Sequence, residues 1–184
     1  NGALLDYHLY GGNFGNSSYS PDGTRIAFSA SDGNDMEIYL LNADGSGLHE
    51  LTHNTTDDMT PAWSPDGTQI TFSVFLRDTY SIWTIDSSGG APRKIAEPAW
   101  SSSWSHDGKW LYYSPPVHRA SQVFKVPSAG GNSTIVVELP TPNAKQAGPG
   151  RTEIESGWEI GNMPMESRDG RLLFFKVFEG VWKF

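Results

Sequence analysis

Four aspartates, Asp22, Asp66, Asp107 and Asp169, each stand two residues after a serine and one before a glycine. Carboxylates beside hydroxyls are the first candidates for acid–base chemistry, which needs two such groups facing one bond, roughly 5–10 Å apart. Their spacing argues against it. They fall 44, 41 and 62 residues apart, each in its own tetrad, and a carboxylate used once per repeat is held away from its counterparts. The tetrad Ser64-Pro65-Asp66-Gly67 also has the preferences of a type I turn, with proline fixing φ, aspartate tolerating the next position and glycine at the exit. The expected work of each aspartate is to bond turn amides.

The remaining chemical candidates are weak. Ser46 in "ADGSGLHEL" lies in a glycine-containing turn, but the Gly-x-Ser-x-Gly pattern of a nucleophile elbow does not occur. His49 and His53 are four apart, a spacing that converges on a helix, yet they flank an extended segment "HELT". "SDGND" and "NADGSG" lack the ligand spacing of a calcium loop. With no cysteine there is no thiolate ligand or nucleophile. No catalytic residue, metal or cofactor is expected.

The elements that carry these residues recur. "AWSPDGTQITFS" (Ala62 to Ser73) is matched by "SYSPDGTRIAFS" (Ser18 to Ser29), "SWSHDGKWLYYS" (Ser103 to Ser114) and, more weakly, "MESRDGRLLFFK" (Met165 to Lys176). Ile38-Tyr39, Ile82-Trp83 and Val123-Phe124 each begin 16 residues after their turn aspartate, and Val181-Trp182 begins 12 after its own. After each turn apolar residues alternate with polar ones, as Ile70, Phe72 and Val74 do with Gln69, Thr71 and Ser73, which is the period of a strand. Units of about 40 residues with several short strands predict the blades of a β-propeller.

We therefore expect an all-β single domain over residues 1–184, with four recognisable four-stranded antiparallel blades at about 15–52, 59–97, 100–139 and 161–184. Residues 140–160 read as an insertion loop rich in Pro, Gly and Ala. The alternating segment 3–10 has the place of an outer strand and would complete the fourth blade, closing a ring of four and hiding two sheet edges; the other arrangement is a larger propeller of which this is a part.

Composition limits the partners. The 184 residues include 7 Trp, 7 Tyr and 9 Phe, with 20 Gly and 12 Pro for turns. The net charge of −8 comes without a Lys/Arg cluster, so nucleic acid is not an expected partner. No apolar run approaches the roughly 18 residues of a membrane-spanning helix.

The aromatic-Ser-Pro-Asp-Gly turn, the Ile-x-Phe-Ser strand and the Ile-Tyr or Ile-Trp strand together resemble the TolB-like, WD-repeat-like β-propeller family. The motif is carried by Tyr19-Ser20-Pro21-Asp22-Gly23 and Trp63-Ser64-Pro65-Asp66-Gly67; His106 and Arg168 replace proline in the later copies, and Glu166 replaces the aromatic in the fourth. The resemblance implies a non-catalytic module that binds a protein or peptide partner at one propeller face, in a periplasmic or extracellular setting. It equally covers propeller domains of enzymes: gating domains of oligopeptidases and polysaccharide-degrading propellers.

Site residues are sought where the repeat pattern is broken. Trp63, Trp83, Trp104 and Trp182 hold equivalent positions and are expected to pack between blades. Phe14, Asp58, Trp100 and Trp158 instead lie in segments leading into inner strands, which converge at one mouth of a propeller channel. These four are the expected binding residues; the other reading is that their side chains plug or cap the channel.

Overall fold

The computed structural model describes residues 17–31, 33–115, 122–138 and 155–182. Three four-stranded antiparallel sheets follow one another along the chain. The first blade is β1 (Ser17–Tyr19), β2 (Arg25–Ser31), β3 (Met36–Asn42) and β4 (His49–Glu50); the second is β5 (Asp57–Trp63), β6 (Gln69–Leu76), β7 (Thr79–Asp86) and β8 (Arg93–Ala96). The third is β9 (Trp100–Trp104), β10 (Trp110–Ser114), β11 (Gln122–Pro127) and β12 (Thr134–Glu138). Within each, strands pair in sequence order, the meander of a propeller blade.

The fourth repeat corrects part of the expectation. Its described residues form a two-stranded sheet of β13 (Glu155–Glu166) and β14 (Leu173–Trp182), not four strands. Strand β13 begins inside the stretch read as an insertion loop over 140–160, so residues 155–160 are ladder, paired through Glu155↔Trp182 to Ile160↔Val177. Val181-Trp182, expected to open a third strand, instead ends the second. The first two blades break between second and third strands at turn residues such as Gly33 or Arg77-Asp78, both with positive φ, whereas "LFFKVFEGVW" stays extended throughout, with Gly180 held in the ladder opposite Gly157. The expected completing segment 3–10 lies outside the described residues.

Every blade turns alike after its inner strand. The backbone amides of Gly23, Gly67, Gly108 and Gly170 donate to the carbonyls of Ser20, Ser64, Ser105 and Ser167 at 2.8–3.0 Å. All four glycines sit near φ +70°, where an L side chain costs about 1–2 kcal/mol. Each aspartate caps its turn: Asp66 Oδ1 accepts from Ser64 Oγ at 2.6 Å, Thr68 N at 3.0 Å and Thr68 Oγ1 at 2.8 Å. These bonds hold the Asp22 and Asp107 carboxyls down at about 2, and lower those of Asp66 and Asp169. The aspartates are turn braces, as their spacing indicates.

Blades are joined by two kinds of contact. Apolar residues of facing sheets fill the junctions, with Ala27, Ile38, Ile70 and Phe72 buried between the first and second blades and Ile82, Leu111 and Val126 between the second and third. Indoles add directed bonds. Trp63 Nε1 donates to Ser18 O at 3.0 Å and Trp104 Nε1 to Ala62 O at 3.1 Å, each tying its blade to the one before. Trp83 packs against the first cluster, so the packing role expected of these three tryptophans is what the structure shows. The Trp182 side chain is outside the described residues.

Candidate functional site

The inner strands β5 and β9 run from one end of the blades to the Ser-x-Asp-Gly turns, so Asp58 and Trp100 both lie at the opposite end, which we call the opening end. Their environments differ sharply.

Asp58 is fully buried, 0% exposed. The side chain that fills this space is held by Asn54 Nδ2, which donates to Asp58 Oδ2 at 2.8 Å, and by Thr56 Oγ1, which donates to Oδ1 at 3.1 Å. A second carboxylate lies against the same network. Glu37, also 0% exposed, accepts from Thr52 Oγ1 at 2.5 Å and from the Asn54 backbone amide at 2.5 Å. Asn54 Nδ2 also lies 3.5 Å from Glu37 Oε2, so one amide bridges both acids. Burial pushes the Asp58 carboxyl up to about 7; the hydrogen bonds from Asn54, Thr52 and Thr56 oppose that shift and the Glu37 charge adds to it. The direct partner contact expected of Asp58 is therefore corrected. It fixes the 51–56 connection between the first two blades from beneath.

Trp100 is partly exposed. Its ring meets Tyr80 edge to face at 4.1 Å between centroids, and Tyr80 in turn lies 4.6 Å from Phe75. The three rings form a ladder from the end of β6, through the start of β7, to the start of β9. Such pairs gain about 0.5–1.5 kcal/mol beyond the area they bury. Burial, with the nearby Asp57 charge, raises the Tyr80 hydroxyl, and Asp57 itself caps the β3 strand by accepting from Met36 N at 3.1 Å. The ladder thus presents aromatic surface bordered by carboxylate at one end of the second and third blades.

Behind Trp100 the backbone is constrained. Ser101 has φ +42° and the equivalent Thr60, also three residues before its motif tryptophan, has φ +55°. Both are buried, at 6% and 7% exposure. Ser73 Oγ, between them, lies 2.7 Å from Thr60 Oγ1 and accepts from Ser101 N at 3.1 Å, so a single hydroxyl locks both unusual turns. Left-handed conformations of non-glycine residues persist only where the surroundings over-determine them.

Phe14 lies outside the described residues, and Trp158 is described only by its ladder pairing with Glu179. Sequence reasoning missed Glu37, Phe75 and Tyr80. A glutamate beginning the apolar run "EIYLL" was the available signal for the first; the aromatics sat inside ordinary strands and gave none. Among the described residues no group of three or more His, Asp or Glu side chains is placed to hold a metal ion.

A family model described as the TolB beta propeller domain matches residues 8–99. The chain belongs to this family. Among its relatives is the Tol-Pal system protein TolB of Anaeromyxobacter dehalogenans strain 2CP-C, 49% identical over 45 residues, a match covering 24% of this chain and 10% of the relative. Among solved structures, a putative TolB from Agrobacterium tumefaciens superposes with a TM-score of 0.67 at 21% identity, covering 89% of this chain and 58% of that one. An oligogalacturonate lyase in complex with manganese gives 0.57 at 14% identity, covering 83% and 41%. The two structural likenesses bear on fold, and the all-β propeller architecture is common to both. This TolB-like chain spans only part of the length of each of these relatives.

Proposed function

We propose that this TolB-like propeller is a non-catalytic binding module that engages a protein or peptide partner through its opening end, in a periplasmic setting. The observation that carries the reading is the Phe75–Tyr80–Trp100 ladder: aromatic surface, partly exposed, on a backbone that Ser73, Thr60 and Ser101 hold rigid. Rigid aromatics bordered by polar groups give large contact area at small entropic cost, which is why Trp and Tyr dominate binding hot spots. Asp58 serves from beneath, and Phe14 and Trp158 are proposed as further contacts of the same end. The family supplies the partner class, since a relative is a Tol-Pal system protein.

The test is binding of the purified chain to the Pal component from its own source, by calorimetry. Trp100→Ala should weaken binding at least tenfold with the thermal midpoint changed by only a few degrees. Equal affinity for both proteins would remove Trp100 from the site, and no affinity for the unaltered chain would remove the Tol-Pal reading.

A further inference from the structure

The turn end of the blades carries a feature that the opening end does not explain. At the first two junctions the motif aromatic of one blade inserts its indole against the preceding blade, Trp63 toward Ser18 O and Trp104 toward Ala62 O. At the third junction the same position is Glu166. The carboxylate keeps the blades tied in a different way: Oε1 accepts from Tyr112 Oη at 2.8 Å and Oε2 from the His106 amide at 2.6 Å. It cannot fill the volume of an indole. A groove of about 280 Å³ opens there, lined by Trp63, Pro65, Trp104, His106, Met165 and Glu166.

We propose that this groove is a receptor for a lysine or arginine side chain of a partner protein. Three observations carry it. The groove is below the roughly 300–1,000 Å³ of sites that enclose whole small ligands, a size suited to one long side chain. Its indole, proline and methionine walls, with Met165 60% exposed, suit the methylene stem that Lys and Arg lay along apolar surface, and Ser102, Ser103 and Ser105 add polar atoms to the lining. Its polar end is anionic and, among the described residues, not paired with a cation. Glu166 receives only neutral donors, and none of the ion pairs among the described residues includes it. A cation entering would therefore gain a charge-assisted bond to a carboxylate already held in place and an indole face for cation–π contact. The chain uses that contact elsewhere, with the Arg25 guanidinium 4.6 Å from the Trp63 ring centroid and Lys125 Nζ 4.4 Å from that of Trp110; among the described residues no such cation covers Trp104.

The site is at the opposite end from the Trp100 ladder and stands or falls separately from it. The probe is acetyl-lysine-methylamide, titrated into the chain while the indole N–H resonances are followed by NMR, with acetyl-norleucine-methylamide as the uncharged control. We expect a saturable shift of the Trp104 indole with the lysine probe, at least tenfold weaker binding in Glu166→Gln, and no saturation with norleucine. Met165→Lys, which places the chain's own ammonium at the exposed rim, should abolish probe binding without touching the Glu166 hydrogen bonds, and so answers the question if Glu166→Gln loses the fold. Absence of a saturable Trp104 shift, or unchanged binding in a folded Glu166→Gln or Met165→Lys protein, overturns the proposal.

Discussion

Trp63 spans the first blade junction and places its indole Nε1 3.0 Å from the carbonyl oxygen of Ser18, 45 residues earlier in the chain. The ring is 7% exposed, so the residue contributes both burial and a directed bond. The two can be separated by substitution. Trp63→Phe retains most of the apolar contact and leaves Ser18 O without its donor, for a loss of about 1–3 kcal/mol. Trp63→Ala adds a cavity and should cost about 3–5 kcal/mol. Urea unfolding of the three proteins measures both steps, and a Phe variant as unstable as the Ala variant would show that the bond, not the packing, holds the junction.

That junction was legible in the sequence because its tryptophans recur in register with the turn. Asp58 was legible as an exception to the repeat but not as a buried one. Its burial depends on Glu37 and Asn54 arriving from another blade's strand and from a connecting segment, and no local pattern reports such a meeting. The fourth repeat was misread for a related reason. Val181-Trp182 imitates the third-strand signature, but it comes 12 residues after its aspartate in place of 16, and the strand runs straight through it with Gly180 paired to Gly157.

The buried acids give the protein an unusual dependence on pH. Asp58 has an ordinary value of 3.8 and a folded value of about 7, so between those limits the folded chain holds a proton that the unfolded chain releases. Stability from this group is full below about pH 4 and is lost as pH rises through 7, at up to ~1.4 kcal/mol per pH unit. Glu37 faces it from β3 and Asp57 adjoins it on β5, so no cation offsets the trend locally. The urea midpoint should fall between pH 4.5 and 7.5. In Asp58→Asn, which needs no proton, the midpoint should be nearly flat over the same range; a wild-type slope in that variant would assign the titration elsewhere.

The turn aspartates act in the opposite sense and in a lower window. Their folded values are depressed, to about 2 for Asp22 and Asp107. The stability they contribute is present above their ordinary value of 3.8 and is lost as pH falls toward 2. Wild-type stability should thus pass through a maximum at about pH 4–5, between the two windows. Replacing Asp22 and Asp107 together with Asn should make the acid limb shallower, with Asp66 and Asp169 still contributing to it, while leaving the limb above pH 5 unchanged, as read from thermal midpoints across the range.

The turn glycines allow a cleaner test of backbone strain. A methyl group on Gly67 would lie 3.6 Å from Pro21 Cδ, an ordinary contact, so space does not forbid alanine there. The φ of +71° does. Gly67→Ala should destabilise by about 1–2 kcal/mol through conformation alone, and Gly67→Asn, whose side chain tolerates the left-handed region, by less. Equal losses for Ala and Asn would point to packing against the neighbouring turn instead.

Ser101 poses the inverse case, a left-handed residue that is not glycine. Its φ of +42° carries a strain of about 1–2 kcal/mol, and its described interaction is through the backbone amide, which donates to Ser73 Oγ at 3.1 Å. Ser101→Gly keeps that bond and relieves the strain, while adding about 0.5–1 kcal/mol of unfolded-chain entropy. The net effect should lie between neutral and roughly 1 kcal/mol stabilising. Thr60→Gly relieves the same strain but forfeits the 2.7 Å contact with Ser73 Oγ, and should destabilise. The contrast bears on function because Ser101 directly follows Trp100. If the left-handed turn sets the angle at which that indole leaves β9, Ser101→Gly should gain stability and lose partner affinity together, whereas a variant that gains the first and keeps the second would show that the Tyr80 ring alone positions Trp100.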